Sequence, residues 1–408
     1  MAGSLVIGGG HVGKMLSLDL LENNVKTYLA TLSQKSFLEI TAVKKENITL
    51  RNELTGESET GDLSALEVVP LEDSRFQDAV ENSDNIFICV PDIPGLRTRI
   101  LSELTRKSLK GKRLVFIRGG QGWIPYLATL LGAEECLREC SVLMIEDSLY
   151  GCRFIGSNVS YKRKLSINAA ILGRDELQTI KVIRELLAKS RQDDAWPNLV
   201  EVSPMGLMFD ALGYIIHTGV ILHGPNIEKT KKNITYNHYI EGVDEAHCHW
   251  LELLDKERVL LASKFGAIVS EFKDTLGRQY NVDVKKTLYA TLMECRDVYK
   301  SRSPSSMQEL KLSRAIHEDI SALRVIDFLI SLFPSEFSET RKYLAWVESA
   351  CRQERIDIAE LDFYREKLRE HVSTTSEFID LIQAGKIGSS SRNKAQGAQS
   401  GSKVLEEA

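Results

Sequence analysis

The sequence predicts an α/β domain followed by an all-α domain, and three observations lead to that reading. Residues 4–16, SLVIGGGHVGKML, set Gly8, Gly10 and Gly13 in the spacing G-x-G-x-x-G directly after an apolar run. From residue 1 to about 185, short apolar runs alternate with helical stretches, the pattern of βαβ units carrying a parallel sheet. Beyond about residue 200, long amphipathic stretches replace them: Asp244–Thr275, Val284–Tyr299, Ser306–Leu332 and Ser338–Arg352.

The first element is a buried strand over Leu5–Ile7, followed by a helix whose apolar residues recur at helical spacing through Lys14–Leu21. Between them each glycine has a task. Gly8 permits the tight turn, Gly10 lets the backbone approach a pyrophosphate, and Gly13 lets the helix pack closely on the sheet. The helix N-terminus then presents free N–H groups and a favourable dipole to phosphates. This is the opening of a Rossmann-like dinucleotide-binding domain, although the same turn also occurs with a purely structural role.

The second strand is expected over Val25–Leu29. An NAD site places a carboxylate about 20 residues beyond the glycine turn, on the ribose 2′-OH. Here the region reads Ala30-Thr31-Leu32-Ser33-Gln34-Lys35-Ser36, with no carboxylate before Glu39. Thr31, Ser33 and Lys35 suit a 2′-phosphate, so NADPH is the preferred cofactor and NADH the alternative. Later strands are expected over Glu67–Pro70, Asn85–Val90, Arg113–Ile117 and Ser141–Ile145, with a helix over Tyr126–Leu131. Ligands of open α/β sheets bind beyond the C-terminal ends of strands. Those ends are Val90-Pro91-Asp92, Arg118-Gly119-Gly120-Gln121-Gly122 and Glu146-Asp147-Ser148.

Pro197, in a polar stretch over Gln192–Ser203, marks the passage to the helical half. The domains are therefore read as 1–195 and 196–384. Residues 385–408, rich in Gly, Ser, Lys and Gln, read as a disordered tail.

Composition narrows the partners. A chain of 408 residues with 43% hydrophobic content supports packed cores, and a net charge of -5 gives no electrostatic reason to expect nucleic acid or an anionic membrane. No apolar run approaches the roughly 18 to 20 residues needed to span a bilayer and no leader is visible, so the protein is expected in the cytoplasm. Seven scattered cysteines without a C-x-x-C pair read as reduced thiols. His247-Cys248-His249 invites a metal, but neighbours on a helix point apart, and no metal site is expected.

Two segments carry candidate chemistry. His217 closes the apolar run Ala211–Gly219, just past the domain boundary, where an imidazole can move protons near neutral pH. A satisfied core histidine is the plainer reading of that segment alone. In Ser313–Ile320, Arg314 and Asp319 stand five apart on a helix and can reach one cleft. Asp319 would hold His217 in one tautomer and Arg314 would grip a carboxylate, the plainer alternative being a solvated charged face.

Taken in order, Gly8-x-Gly10-x-x-Gly13, Gly119-Gly120-Gln121-Gly122, Glu146 to Arg153, Tyr214-Ile215-Ile216-His217, Leu254 to Arg258 and Arg314-x-x-x-Glu318-Asp319 resemble the opine dehydrogenases over about residues 3–355. Tyr161–Gly173 and the lack of a proline after His217 are most similar to the branch that makes opine-type metallophores, the staphylopine and pseudopaline group. The resemblance implies reductive condensation of an amino-acid-derived amine with an α-keto acid, using hydride from NAD(P)H. It implies His217 as acid/base with Asp319 as its partner. Arg314, Gln121, Cys152 and Arg153 would line the substrate region, and Gly8, Gly10, His11, Val12, Gly13, Thr31, Ser33, Lys35, Val90 and Pro91 the cofactor site.

There are departures. Octopine- and nopaline-type members commonly place a proline after the histidine, where Thr218-Gly219 stand here. Tyr150-Gly151-Cys152-Arg153 sets no acidic side chain beside the keto acid, leaving both pyruvate and 2-oxoglutarate open. Alternatives are an octopine/nopaline-type enzyme acting on a simple amino acid, a 3-hydroxyacid or 6-phosphogluconate-like dehydrogenase, and a non-catalytic nucleotide sensor. A homodimer paired through the helical half is expected.

Overall fold

The computed structural model describes residues 3–118, 139–173, 176–188, 196–298 and 301–384. Strand β1 (Gly3–Ile7) is buried at every residue and alternates its side chains between two cores. Leu5 and Ile7 join one core, and Val6 joins the other. The remaining strands are β2 (Thr27–Thr31), β3 (Ile48–Asn52), β4 (Ser58–Gly61), β5 (Glu67–Pro70), β6 (Ser83–Ile88), β7 (Arg113–Ile117), β8 (Ser141–Ile145), β9 (Tyr150–Ile155), β10 (Asn158–Arg163), β11 (Ser166–Gly173) and β12 (Asn198–Glu201).

Eight of these form one sheet in the order β12-β11-β8-β7-β6-β1-β2-β5. The stretch from β5 to β8 is parallel throughout and has the doubly wound order, which reverses between β1 and β6. That reversal opens a crevice beyond the ends of β1 and β6. Strand β11 runs antiparallel to β8, and β12 pairs with β11 beyond residue 195, so the sheet reaches past the expected domain boundary.

A second sheet, β4-β3-β10-β9, was not expected from the alternation of runs and helices. It covers the helix His11–Glu22 on the side away from the main sheet. Met15, Leu16, Leu18 and Leu20 of that helix share one core with Ile48, Leu50, Phe154 and Val159. Asp19, fully buried there, accepts from Tyr150 Oη at 2.6 Å and from Arg163 at 3.2 Å. The other core is shared by the opposite sheet face and the helical half, which fixes the crevice between them.

The long amphipathic stretches prove to be interrupted. Asp244–Thr275 is a helix only over Glu245–Lys264, where Gly266 takes a φ of +72° and turns the chain before the helix Phe272–Tyr280. Ser306–Leu332 divides into Met307–Lys311, Arg314–His317 and Asp319–Ser331. Strands β2 and β6 are displaced by two residues from the expected positions, whereas β5, β7 and β8 lie where expected.

The stretch Pro204–Ile221 has the length and apolar character of a membrane-crossing helix, but 72% of it is buried within the protein. It is two helices, Pro204–Asp210 and Gly213–Ile221. Gln121 with its glycine-rich neighbours 119–122, the helix expected over Tyr126–Leu131, and the tail 385–408 lie outside the described residues.

Candidate active site

The glycine turn is as tight as its spacing demands. Gly8 has a φ of +117°, and a Cβ there would stand 2.8 Å from the Cys89 carbonyl oxygen. A Cβ on Gly13 would come within 1.9 Å of the Gly8 oxygen, so the helix can pack this closely only with glycine. Gly10 is the N-cap and makes no side-chain cap, leaving the first N–H groups of the helix to face the crevice.

Gly10, His11, Val12, Val90 and Pro91 line a cavity of about 610 Å³ beyond the ends of β1 and β6. Arg97, only 1% exposed, donates to the carbonyls of Val90, Pro91 and Arg118, clamping the ends of β6 and β7. Phe154 N–H donates to His11 Nδ1 at 3.1 Å, and Lys14 Nζ lies 4.5 Å from the Phe154 ring centre. These contacts fasten the β9–β10 hairpin over the first turn of the helix.

A second cavity of about 690 Å³ is lined by His217, His238, Gln308 and Glu309. The two cavities share Tyr239, Ser301, Arg302 and Arg314 as a common wall. The two cavities therefore adjoin, one beside the glycine turn and the other beside His217.

His217 lies on the helix Gly213–Ile221, and Asp319 is the first residue of Asp319–Ser331. Their Nδ1 and Oδ2 atoms are 2.8 Å apart, with side chains 13% and 3% exposed. Tyr343 Oη donates to the Tyr214 and Ile215 carbonyls at 2.9 and 3.0 Å, and Thr218 Oγ1 donates to Ala315 O at 3.3 Å. These bonds fix the helix that carries the imidazole. Arg314 Nη2 stands 3.2 and 3.3 Å from the two ring nitrogens of His217. Near-equal separations put that nitrogen over the ring face and leave the in-plane direction at Nε2 for a ligand.

Charges behind the dyad are paired. Arg118 meets Asp147 at 3.1 Å and Glu318 at 3.3 Å. Burial works against the Arg118 charge, but Glu318, Asp147 and Asp319 outweigh it and hold the guanidinium ionised. Burial likewise disfavours the Asp147 carboxylate, yet Lys164 and Arg118 hold it well below the usual range. Burial pushes Glu318 up, against the pull of Arg118. His238, 6% exposed, sits edge-on 5.9 Å from His217; burial and then the His217 charge push it down to about 3, keeping it neutral.

Of the residues singled out in the sequence, His217, Arg314 and Asp319 meet. Cys152 and Arg153 line the first cavity beside the glycine turn rather than the second beside His217. Burial pushes the Cys152 thiol up to about 12. Thr31 is buried at the end of β2, Ser33 caps the next helix by accepting from Ser36 N–H at 3.2 Å, and the exposed Lys35 lies 3.9 Å from Glu39. None of the three lines either cavity, although Ser33 and Lys35 are open to solvent. Gly8 and Gly13 shape the turn from behind. His247 stacks on His223 at 4.3 Å, and no metal-holding group of three His, Cys, Asp or Glu exists among the described residues.

Sequence reasoning missed Arg97, Tyr239 and Arg302. Arg118 stood in a strand-end run already noted, and its place there was the signal. Nothing in the spacing marks Tyr239 or Arg302, which reach the site through loops.

Residues 202–333 match the family described as the NAD/NADP octopine/nopaline dehydrogenase, alpha-helical domain. No curated protein sequence matches the chain. Among solved structures, octopine dehydrogenase with NADH and L-arginine is similar at a TM-score of 0.71 and 15% identity, covering 95% of this chain and 99% of that one. Yersinopine dehydrogenase with NADP+ bound is similar at a TM-score of 0.60 and 12% identity, covering 94% and 98%. A PanE/ApbA family ketopantoate reductase from Ralstonia eutropha JMP134 follows at 0.54 and 12% identity, covering 86% and 99%. Residues 202–333 are thus similar to the alpha-helical domain of the octopine/nopaline dehydrogenases, and the chain as a whole has the octopine dehydrogenase fold.

Proposed function

We propose that this protein is an NADPH-dependent opine dehydrogenase, joining an amino-acid-derived amine to pyruvate or 2-oxoglutarate as a secondary amine. The observation that carries the reading is the shared wall: His217, paired with Asp319, lines a cavity that has Tyr239, Ser301, Arg302 and Arg314 in common with the one at the glycine turn. Residues at the turn fit a dinucleotide, because a Cβ on Gly10 would meet nothing within 4 Å and the N-cap is unoccupied by any side chain. Gly10, His11, Val12, Val90 and Pro91 would hold it, with Ser33 and Lys35 toward the 2′-phosphate. When bound, the cofactor supplies hydride to the imine carbon.

The chain's own residues then have separate tasks. Arg314, over the His217 ring, grips the keto-acid carboxylate next to the reacting carbon. His217 relays one proton from the adding amine nitrogen to the carbonyl oxygen, giving the carbinolamine, and a second from that nitrogen to the departing hydroxyl, so that water leaves and the imine forms; it would return a solvent proton to the nitrogen on reduction. Asp319 stabilises the imidazolium between those events and fixes Nδ1 as the protonated nitrogen. We place the protein in the metallophore branch on Tyr161–Gly173 and on Thr218-Gly219, which follow His217 without a proline.

The test is NADPH oxidation across a panel of amines against pyruvate and 2-oxoglutarate. Turnover that requires both partners is expected, with a secondary amine by mass spectrometry. Oxidation with a keto acid alone would instead mark a hydroxyacid dehydrogenase, and binding without turnover a nucleotide sensor.

A further inference from the structure

A buried carboxylate keeps its charge only if both of its oxygens find partners. Oδ2 of Asp319 faces His217 Nδ1 at 2.8 Å. No side chain or backbone N–H among the described residues donates to Oδ1 of the same carboxylate. This oxygen is nevertheless not sealed in: it keeps accessible surface, unlike the buried, partnerless Oδ1 of Asp210.

That surface belongs to a third cavity, of about 60 Å³, on the far side of the dyad. Asp319 and Thr275 both line it, and neither lines the other two cavities. Thr275 lies on the helix Phe272–Tyr280 and is 3% exposed. A threonine within a helix can turn its hydroxyl back onto the carbonyl four residues earlier, as Thr291 does to Thr287 O at 3.0 Å. Thr275 donates only its backbone N–H to Glu271 O; its hydroxyl has no partner among the described residues and, like Asp319 Oδ1, is not sealed. Two polar atoms without a protein partner thus open on one small cavity.

The charged side chains around them are provided for. Glu146 accepts from Arg278 and Gln279, each at 3.0 Å, Asp147 pairs with Lys164 and Arg118, and Glu318 pairs with Arg118 at 3.3 Å. Three cations thereby meet three carboxylates, which suits the space to water rather than to a further cation. A buried water needs about 15 Å³ of such space and two to four polar partners, so the cavity takes several.

Resting on the dyad's role in the proposed reaction, we infer that this cavity is a buried water site, in which an ordered water donates to Asp319 Oδ1 and is held, directly or through a neighbouring water, by Thr275 Oγ1. Thr275 is a positioning residue. With its second oxygen held, the carboxylate cannot turn about its Cβ–Cγ bond, and Oδ2 stays aligned with Nδ1 of His217. The charge that stabilises the imidazolium is supported from the side away from the substrate.

Two measurements on the full chain test this. High-resolution crystal structures are expected to show a water within about 3.2 Å of Asp319 Oδ1 in wild type, and its loss or displacement in Thr275→Val. In the amine and keto-acid assay Thr275→Val, which keeps the shape of the side chain, should lower kcat by about 3- to 30-fold, with both substrate KM values within about twofold. Thr275→Ser, which keeps the hydroxyl, should retain most of the wild-type kcat, so that a general loss of packing is told apart from loss of the hydrogen bond. No water beside Asp319 Oδ1, a water that stays in place in Thr275→Val, an unchanged kcat, or a loss that Thr275→Ser shares in full overturns the inference. Absence of turnover by wild type with every pair would overturn the opine dehydrogenase reading instead, and the crystal structures would still decide the water site.

Discussion

His217 and Asp319 stand 102 positions apart in the chain, yet Nδ1 of one lies 2.8 Å from Oδ2 of the other. The carboxylate is nearly sealed from water, so its charge acts on the imidazole with little screening. Substitution Asp319→Asn keeps the shape and removes the charge that stabilises the imidazolium. We expect kcat to fall by about 10²- to 10⁴-fold, and His217→Ala to cost at least as much, as in other His–Asp pairs. Fluorescence titration should leave NADPH affinity within about threefold of wild type. Full turnover by either variant would remove the pair from the mechanism.

The approach of Asp319 depends on a residue that carries no chemistry. A Cβ placed on Gly213 would stand 2.0 Å from Asp319 Oδ1 and 3.1 Å from His217 Nδ1. Gly213→Ala must therefore push the carboxylate away or tilt the helix that carries the histidine. We expect it to lower kcat by at least about tenfold, since misplacement by about 1 Å is worth up to a hundredfold. The pH profile of kcat should shift as well, which a purely global loss of stability would not produce.

How far the sequence announced this site follows from how its parts are encoded. The glycine turn, β7 and β8 were legible because backbone approach and nearly continuous burial restrict residue type locally. Gly213 was not, because its requirement comes from a side chain 106 positions on, and nothing near it in sequence reports that contact. The β3–β4 and β9–β10 strands escaped for a related reason. Strands β3 and β10 pair across about 110 residues, and an alternation as short as that of β3, buried at Ile48 and Leu50 and exposed at Thr49 and Arg51, does not separate from a loop. The three-way break of Ser306–Leu332 was hidden because helix caps interrupted an apolar period that otherwise continues. Ser306 accepts from Glu309 N–H at 3.2 Å, and a new helix begins after Ser313.

The proposed preference for NADPH rests on the end of β2. Ser33 and Lys35 lie exposed there, and Glu39 is the nearest carboxylate along the chain, 3.9 Å from Lys35 Nζ. Lys35→Glu reverses the charge that would meet a 2′-phosphate. We expect KM for NADPH to rise about tenfold or more and KM for NADH to change by less than about threefold. Raising the salt concentration should shrink the difference, because the lysine is exposed. Equal effects on the two cofactors would move the 2′-phosphate contact elsewhere.

Asp210 supplies a test that needs no substrate. It is 4% exposed, and burial, then the neighbouring Glu146, push its carboxyl up from 3.8 to about 6 against the Asn168 hydrogen bond, Arg258 and Arg278. Between about pH 4 and 6 the native state holds a proton there that the unfolded chain has released. This group's contribution to stability is therefore present below pH 4, falls as pH rises through about 6, and is flat above. Asp210→Asn keeps an oxygen for Asn168 Nδ2, now 2.6 Å from Asp210 Oδ2, and its amide nitrogen takes the place of Oδ1, a buried atom without a partner. Relative to wild type, the variant should gain stability as pH is raised from 4 to 7, by up to about 3 kcal/mol, each unit of displaced pKa being worth about 1.4 kcal/mol. Thermal melts of both proteins at several pH values give that difference directly, with the titrating groups remote from Asp210 and Glu146 cancelling. Two stability profiles that run parallel across this range would mean that Asp210 is ionised in the folded protein at the same pH as in the unfolded chain.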